Sequence, residues 1–309
     1  MQILLFGGTG FVGQHAAKRW TEEGHEVLIP SRRRTSAPFG KVILYEIDEL
    51  NELFTSIKGE YAIVNLAGES INSGRWSKKR KQTILDSRTV LTGAIAQVLE
   101  SLSNKPIVWI NASAIGYYGY SDEKIFDETS VRGDGYLAEV CELWERATAP
   151  AIRHTRVVRV RIGLVLGGGG GALPRMTLPY KLYVGGKVGK GSQWVSWVHI
   201  DDLVGIMTKC LTDPAIQGPV NATSPAPLTM NDFGKAIAEV YRRPHWLPVP
   251  GFALKLLFGE MSEIILQGQR VLPNRMKQLG YEFKFKNAFI ALKQIRYVER
   301  NTKYQAKKS

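Results

Sequence analysis

The feature that most constrains this chain stands at its start, where Ile3-Leu4-Leu5-Phe6 runs directly into Gly7-Gly8-Thr9-Gly10-Phe11-Val12-Gly13. Four consecutive apolar residues read as a strand covered on both faces. Gly7, Gly10 and Gly13 then recur at three-residue intervals at the opening of a helix. Gly7 permits the tight turn, Gly10 has no Cβ to obstruct a pyrophosphate, and Gly13 lets helix and strand pack closely. The phosphates would rest on the helix N-terminus, where unpaired N–H groups and the helix dipole favour negative charge. Thr9, Phe11 and Val12 complete the turn and join the glycines as candidate cofactor contacts. Strand, glycine turn, helix and second strand follow in order within about 30 residues, as a dinucleotide site requires.

The second strand discriminates between dinucleotides. An NAD site places an acidic residue about 20 positions beyond the turn, to bond the ribose hydroxyls. Here the strand ends Leu28-Ile29-Pro30-Ser31-Arg32-Arg33, with no carboxylate. A hydroxyl at Ser31 and a guanidinium at Arg32 suit a 2′-phosphate, so NADP is the expected cofactor. One or two of Arg32, Arg33 and Arg34 simply point into water.

Further strands are expected at Val27–Pro30, Val42–Tyr45, Ala62–Leu66, Ile107–Ile110 and Val157–Val160, mostly as unbroken apolar runs. A broad apolar stripe (Val90, Leu91, Ala94, Ile95, Val98, Leu99, Leu102) predicts a helix over about 87–102. Another runs over about 135–149 and ends where Pro150 removes a backbone donor. Strand–helix–strand alternation gives an α/β, Rossmann-type doubly wound parallel sheet. Beyond about residue 165 the rhythm changes. Gly167 to Gly171 and the prolines and glycines up to Gly191 read as irregular, mobile structure, a hinge, flap or exposed loop. Helical patterns return at 202–211, 230–241, 252–258 and 287–298. The expected organisation is an NADP-binding domain over 1–165, with a return to the sheet near 192–223. A smaller C-terminal α+β substrate region spans 166–309.

Composition removes several alternatives. Of the 309 residues only Cys141 and Cys210 are cysteines, which leaves neither a disulfide framework nor a metal-ligand quartet. No apolar run approaches the roughly 18 residues of a membrane span, and the start lacks a basic-flanked signal segment. A cytoplasmic, reduced, metal-free protein is expected. The net charge of +13 gathers at Arg32-Arg33-Arg34, at Lys78-Lys79-Arg80-Lys81 and in the tail from Lys293 to Lys308. Without a nucleic-acid-binding motif this reads as a solvated basic surface and a frayed tail. A small molecule is the expected partner, with nucleic acid a distant rival.

Three further segments carry a resemblance: Asn65-Leu66-Ala67-Gly68, Asn111-Ala112-Ser113-Ala114-Ile115-Gly116-Tyr117-Tyr118-Gly119 and Val198-His199-Ile200-Asp201-Asp202-Leu203. With the glycine turn they resemble the extended short-chain dehydrogenase/reductases, which include nucleotide-sugar epimerases. Asn65-Leu66-Ala67-Gly68-Glu69, Arg161-Ile162-Gly163-Leu164-Val165-Leu166-Gly167 and Gly268-Gln269-Arg270-Val271-Leu272-Pro273 resemble, more narrowly, a little-characterised subfamily of NADP-dependent epimerase-like proteins. The resemblance implies that Leu66, Ala67 and Gly68 pass beneath the cofactor, and that Ser113 and Tyr136 are catalytic. It also implies pairing through the helices near 87–102 and 136–149, although an apolar stripe serves core and partner alike.

One departure matters. The superfamily sets a lysine four residues after the tyrosine, on the same helical face, to lower the phenol's pKa. Here Tyr136 is followed at that place by Val140. Without the cation Tyr136 stays a neutral phenol at pH 7, catalytic or merely packed. Glu69, Tyr117, Tyr118 and Cys141 are further candidates in which a structural role outweighs acid–base work, and His199 reads as a helix cap. Trp76, Trp194 and Trp197 either line the substrate site or fill the core. Arg161 ends a buried sixth strand near the cofactor and needs an anionic partner, either the cofactor or an acidic side chain. The expected function is an NADP-dependent oxidoreductase or epimerase-like enzyme acting on a small polar substrate, a nucleotide sugar by resemblance. The alternative is a catalytically weak NADP(H)-binding redox sensor.

Overall fold

The computed structural model of the chain describes residues 1–305, and side chains up to 301. Lys303 to Gln305, expected to fray, continue the last helix (Ala288–Gln305), and the rest of the expected frayed tail, 306–309, lies outside the described residues.

Strands β1 (Gln2–Phe6), β2 (Glu26–Ser31), β3 (Lys41–Leu44), β4 (Tyr61–Asn65) and β5 (Val108–Ala114) follow one another along the chain. After the short β6 (Ile125–Phe126) comes β7 (Arg156–Ile162); β8 (Leu164–Leu166), β9 (Trp194–Val195) and β10 (Trp197–His199) precede β11 (Gly218–Ala222). Seven of them form one sheet in the order β11-β7-β5-β4-β1-β2-β3, every pair parallel. The order reverses beside β1, and in open parallel sheets the crevice at that switch point, outside the carboxyl ends of the strands, is where ligands bind.

Alternation within the strands builds a core on each face. Ile3, Leu5, Ala62, Val64, Val108, Ile110, Val158 and Val160 point to one side. There they meet Ala16, Ala17 and Trp20 of helix α1 (Phe11–Glu22) and the apolar face of a later helix, Ile200–Thr212. Leu4, Phe6, Tyr61, Ile63 and Trp109 point to the other side. They pack on α2 (Leu50–Ser56) and α3 (Lys78–Ser101). Burial on both faces is why these strands are unbroken apolar runs.

Helix α3 begins nine residues before the predicted 87, capped by Ser77, whose Oγ accepts from Arg80 N at 3.2 Å. Its first turns carry the Lys78–Lys81 charges, which hide the apolar period. Helix α4 (Tyr136–Arg146) stops short of the predicted 149, and Pro150 instead stands in the first turn of a 3₁₀ segment, Ala149–Arg153, where a missing N–H costs nothing.

The second half departs most from expectation. Pro174 and Pro179 lie inside a helix, α5 (Leu173–Lys181), not in irregular chain. Its Tyr180 joins Trp197, residues of α7 (Met230–Tyr241) and Ala288, Ala291, Leu292 and Ile295 in one apolar core, while α6 (Ile200–Thr212) belongs to the core on the α1 face of the sheet. The glycines 167–171 form a turn packed on Phe11. A Cβ would lie 2.8 Å from the Phe11 ring at Gly167, 2.4 Å at Gly170 and 3.0 Å at Gly171. Among the described residues no helix is long and apolar enough to cross a membrane.

Candidate functional site

The glycine turn has the geometry its spacing implies. Gly7 has φ +76°, and a Cβ there would stand 2.7 Å from the carbonyl carbon of Leu66 and 2.8 Å from the amide of Ala67. A Cβ on Gly13 would stand 2.3 Å from the Gly7 carbonyl oxygen, so no side chain fits where helix meets strand. Around Gly10 the only near atom is that same oxygen at 3.2 Å; the rest is open. Gly10 is the N-cap of α1, and no side chain caps the helix, so its first-turn N–H groups face the crevice. Thr9, exposed, accepts from the Gln14 side chain through its carbonyl, while Phe11 and Val12 are half-buried. At the end of β2, Ser31 Oγ donates to the Arg33 carbonyl at 2.8 Å, shaping the turn that leaves Arg32 exposed. Among the described residues none of Arg32, Arg33 and Arg34 has a carboxylate at ion-pair distance.

The end of β4 is locked by Asn65. Its amide donates to Thr92 Oγ1 (3.1 Å) and Asn111 Oδ1 (2.8 Å), and its carbonyl oxygen accepts from Ala67 N (3.1 Å). That fixes Leu66 and Ala67 against Gly7 and brings Gly68 beside the Arg88 guanidinium. Bare backbone, an open helix end and free guanidinium groups at the β2 edge fit a phosphorylated dinucleotide.

The expected catalytic pair is not brought together on a shared partner. Ser113 is buried and donates to Glu145 Oε1 at 2.7 Å. Tyr136 donates to the Lys81 carbonyl at 2.8 Å, and its ring meets Trp76 edge-on at 5.1 Å. Burial, against the opposing charges of Arg88 and Arg80, pushes its phenol above the ordinary tyrosine value. It is a neutral donor at pH 7. Val140 is buried with Trp76, Ile84 and Met261, and Phe258 and Ile264 pack against them, so apolar side chains stand where the superfamily has its lysine.

Of the two partners expected for Arg161, the cofactor or an acidic side chain, the fold supplies an acidic side chain, Glu145. Arg161 is 3% exposed and its guanidinium is satisfied internally. Nε and Nη2 grip Glu145 in a fork at 2.8 and 2.9 Å, Nη1 donates to Tyr118 OH at 3.0 Å, and the cation lies 3.5 Å over the Tyr117 ring. Tyr118 OH in turn donates to Asn221 Oδ1 at 2.7 Å. Burial alone would lower the Arg161 pKa, but the hydrogen bonds and charge of Glu145 outweigh it and hold it above the ordinary arginine value. Ser113, Glu145, Arg161, Tyr118 and Asn221 thus form one buried polar network joining β5, α4, β7 and β11.

Of the other candidates, Glu69 is exposed and pairs with Arg80 at 3.3 Å. Burial pushes the Cys141 thiol up to about 12, leaving it inert. His199 is the cap expected of it: Nδ1 accepts from Asp201 N at 3.2 Å. Trp197 is core, whereas Trp76 stands beside Tyr136, and Trp194 donates to the Asp122 carbonyl. Sequence reasoning missed Glu145 and Arg88. Both were legible as charges on apolar helical faces, Glu145 four residues after buried Cys141 and Arg88 midway between buried Ile84 and Thr92.

Comparison with known proteins agrees with this geometry. Residues 3–222 match the NAD dependent epimerase/dehydratase family, and 249–295 match a domain of unknown function, DUF1731. An Arabidopsis thaliana protein, "Epimerase family protein SDR39U1 homolog, chloroplastic", is 40% identical over 301 residues, covering 96% of this chain and 86% of the relative. Epimerase family protein YfhF of Bacillus subtilis is 40% identical over 308 residues, covering 96% and 98%. Among solved structures, human epimerase family protein SDR39U1 with NADPH superposes with a TM-score of 0.88 at 33% identity, over 96% of this chain and 99% of that one. The UDP-glucose 4-epimerase of Thermotoga maritima, solved with UDP-glucose, shares the fold at a TM-score of 0.78 and 16% identity, covering 98% and 99%. With the glycine turn, the parallel sheet and a family match over most of its length, this chain belongs to the NAD dependent epimerase/dehydratase family.

Proposed function

We propose that the protein binds NADP in the crevice above β1, β2 and β4 and exchanges a hydride between its nicotinamide and a hydroxyl- or carbonyl-bearing carbon of a small polar substrate. The observation that carries the reading is the open N-terminus of α1 over Gly10 together with Arg32 at the end of β2, exposed and, among the described residues, without a carboxylate at ion-pair distance. The human relative solved with NADPH supports the choice of cofactor. A nucleotide sugar is the substrate class we favour, by analogy with family members of the same fold. NADP would supply the hydride-carrying ring. The chain's own part is to seat the phosphates, hold the crevice floor rigid through Asn65, and offer Tyr136 as a neutral proton donor. Pairing of two copies through α3 and α4 and a reducing, cytoplasmic setting belong to the same reading, the latter supported by two free, buried thiols.

A second reading, an NADP(H)-binding sensor with little chemistry, is favoured by Val140 and by the internal commitment of both candidate hydroxyls. Calorimetric titration with NADPH and NADH tests the common ground, and tighter NADH binding refutes the role given to Ser31 and Arg32. Transfer of deuterium from stereospecifically labelled NADPH to a panel of nucleotide sugars and small carbonyl compounds separates the two. Transfer to any member establishes the enzyme. Tight binding with none transferred favours the sensor.

A further inference from the structure

Two segments of the second half turn large apolar side chains to solvent. Leu182, Tyr183 and Val184, which leave α5, are exposed, as are Trp246 and Leu247 beyond α7. Helix α8 (Gly251–Phe258) buries Leu254 and exposes Phe252 and Leu256 at 74% each, with Leu257 at 64%. The segments are bonded to one another. Trp246 N donates to the Gly185 carbonyl at 2.9 Å, Val249 N to the Lys187 carbonyl at 2.7 Å, and Gly189 N to the Val249 carbonyl at 2.9 Å. Gly189 and Lys190 then line one groove with Phe252 and Lys255, which carries the surface on to α8. The exposed indole is held in place: Trp246 Nε1 donates to the Tyr183 carbonyl at 2.9 Å, and the Arg243 guanidinium lies 4.1 Å over the Tyr183 ring. With its N–H satisfied, Trp246 offers its surroundings an apolar ring. Soluble monomers seldom leave so many large apolar side chains side by side in water.

The charges among these side chains have one sign. Residues 181–190 and 242–258 contain Lys181, Lys187, Lys190, Arg242, Arg243 and Lys255 and not one Asp or Glu. Lys190 stands 3.8 Å from Asp122, both exposed. Among the described residues none of the other five cations has a carboxylate at ion-pair distance. An aromatic and aliphatic surface threaded with unpaired cations complements a layer that is negative outside and hydrocarbon within. A second copy of the chain does not meet that description, because self-pairing sets these cations against their own kind. Nucleic acid supplies negative charge and stacks on rings, but gives Leu182, Leu256 and Leu257 no hydrocarbon to enter.

We propose that this face docks the protein on the surface of an anionic lipid bilayer, with Trp246, Phe252 and Leu256 entering the boundary between headgroups and acyl chains and Arg243 and Lys255 meeting the lipid phosphates. The attachment is peripheral, since α8, at 8 residues, is far shorter than a bilayer span. It is independent of the NADP reading, because none of these residues belongs to the glycine turn or to the end of β2.

The experiment is co-sedimentation of the full chain with vesicles of phosphatidylcholine alone or of equal parts phosphatidylcholine and phosphatidylglycerol. The parent sediments with the mixed vesicles and not with the neutral ones, and salt releases it. Arg243→Glu/Lys255→Glu weakens binding by about 25-fold or more, at about fivefold per cation lost. Lys58→Glu/Lys277→Glu makes the same change of net charge before β4 and on the short helix beside β11, and leaves binding within about twofold. Phe252→Ser/Leu256→Ser weakens it by about tenfold or more. Brominated acyl chains quench part of the parent's tryptophan emission, and Trp246→Phe, which keeps the affinity, lacks that part. Melting followed by circular dichroism shows which variants are folded, and Phe252→Ala/Leu256→Ala serves if the serine variant is not. Absence of binding by the parent, equal loss in the two charge variants, or parental binding by the folded serine or alanine variant overturns the proposal. Binding of duplex DNA in place of the mixed vesicles, when both are offered, overturns it as well.

Discussion

The buried network around Glu145 makes a sharp prediction about Glu145→Gln. The carboxylate accepts three hydrogen bonds, from Ser113 Oγ at 2.7 Å and from Arg161 Nε and Nη2 at 2.8 and 2.9 Å, with the ion-pair side chains 4% and 5% exposed. The neutral amide removes the counter-charge and turns an N–H₂ towards groups that are themselves donors. Breaking a buried pair from one side costs about 3–5 kcal/mol. Urea unfolding followed by circular dichroism should show that loss as a lowered midpoint with little change in slope. Ser113→Ala removes one hydroxyl donor and leaves the Arg161 fork intact, so it should cost about 1–2 kcal/mol. In Glu145→Gln/Arg161→Met no charge is stranded, and the double variant should be more stable than the glutamine variant alone. A Glu145→Gln protein within about 0.5 kcal/mol of the parent would refute the account of the network.

Other expectations follow from the turn, the cap and the thiols. Gly10→Ala should fold with a near-parental thermal midpoint yet lose NADPH affinity by about tenfold or more, because its Cβ would enter the space assigned to the diphosphate. Gly13→Ala should instead lose stability, since its Cβ would meet backbone at 2.3 and 2.6 Å; equal melting of the two variants would contradict this geometry. Burial holds the His199 imidazole below the ordinary histidine value, so the unfolded chain protonates first. Its share of stability is then complete above about pH 6.5 and is lost as pH falls towards the lowered folded value. His199→Asn keeps a capping acceptor and should flatten stability between pH 7 and 5; an unchanged profile counts against His199 as the source. Cys141 and Cys210, both buried with thiols pushed up to about 12, should resist a thiol reagent in the native protein and react on unfolding.

The parallel sheet was legible because its strands, apolar on both faces, leave a signal that needs no knowledge of their partners. The glycine turn was legible for a related reason, since each glycine answers to backbone a few residues away. Pro174 misled because a helix tolerates proline in its first turn, and Pro179, inside the helix, because α5 is held by tertiary packing through Tyr180 and Leu173. Arg161 was read as ending its strand, whereas Ser113 was read as lying beyond a strand that runs on to Ala114; their partner Glu145 lies on α4, and only the folded chain unites them. The basic start of α3 hid its first nine residues, and with them the register that puts Arg88 on the buried side.

The order β11-β7-β5-β4-β1-β2-β3 has a practical consequence for dissecting the protein. A fragment ending near residue 165 would carry every phosphate-facing glycine and still lack β11, so β7 would become a naked edge with its amide and carbonyl row unpaired. It would lose Ile200–Thr212 as well, uncovering Val158 and Val160. Such a fragment should self-associate when expressed, because the chain closes its nucleotide-binding half only after leaving it.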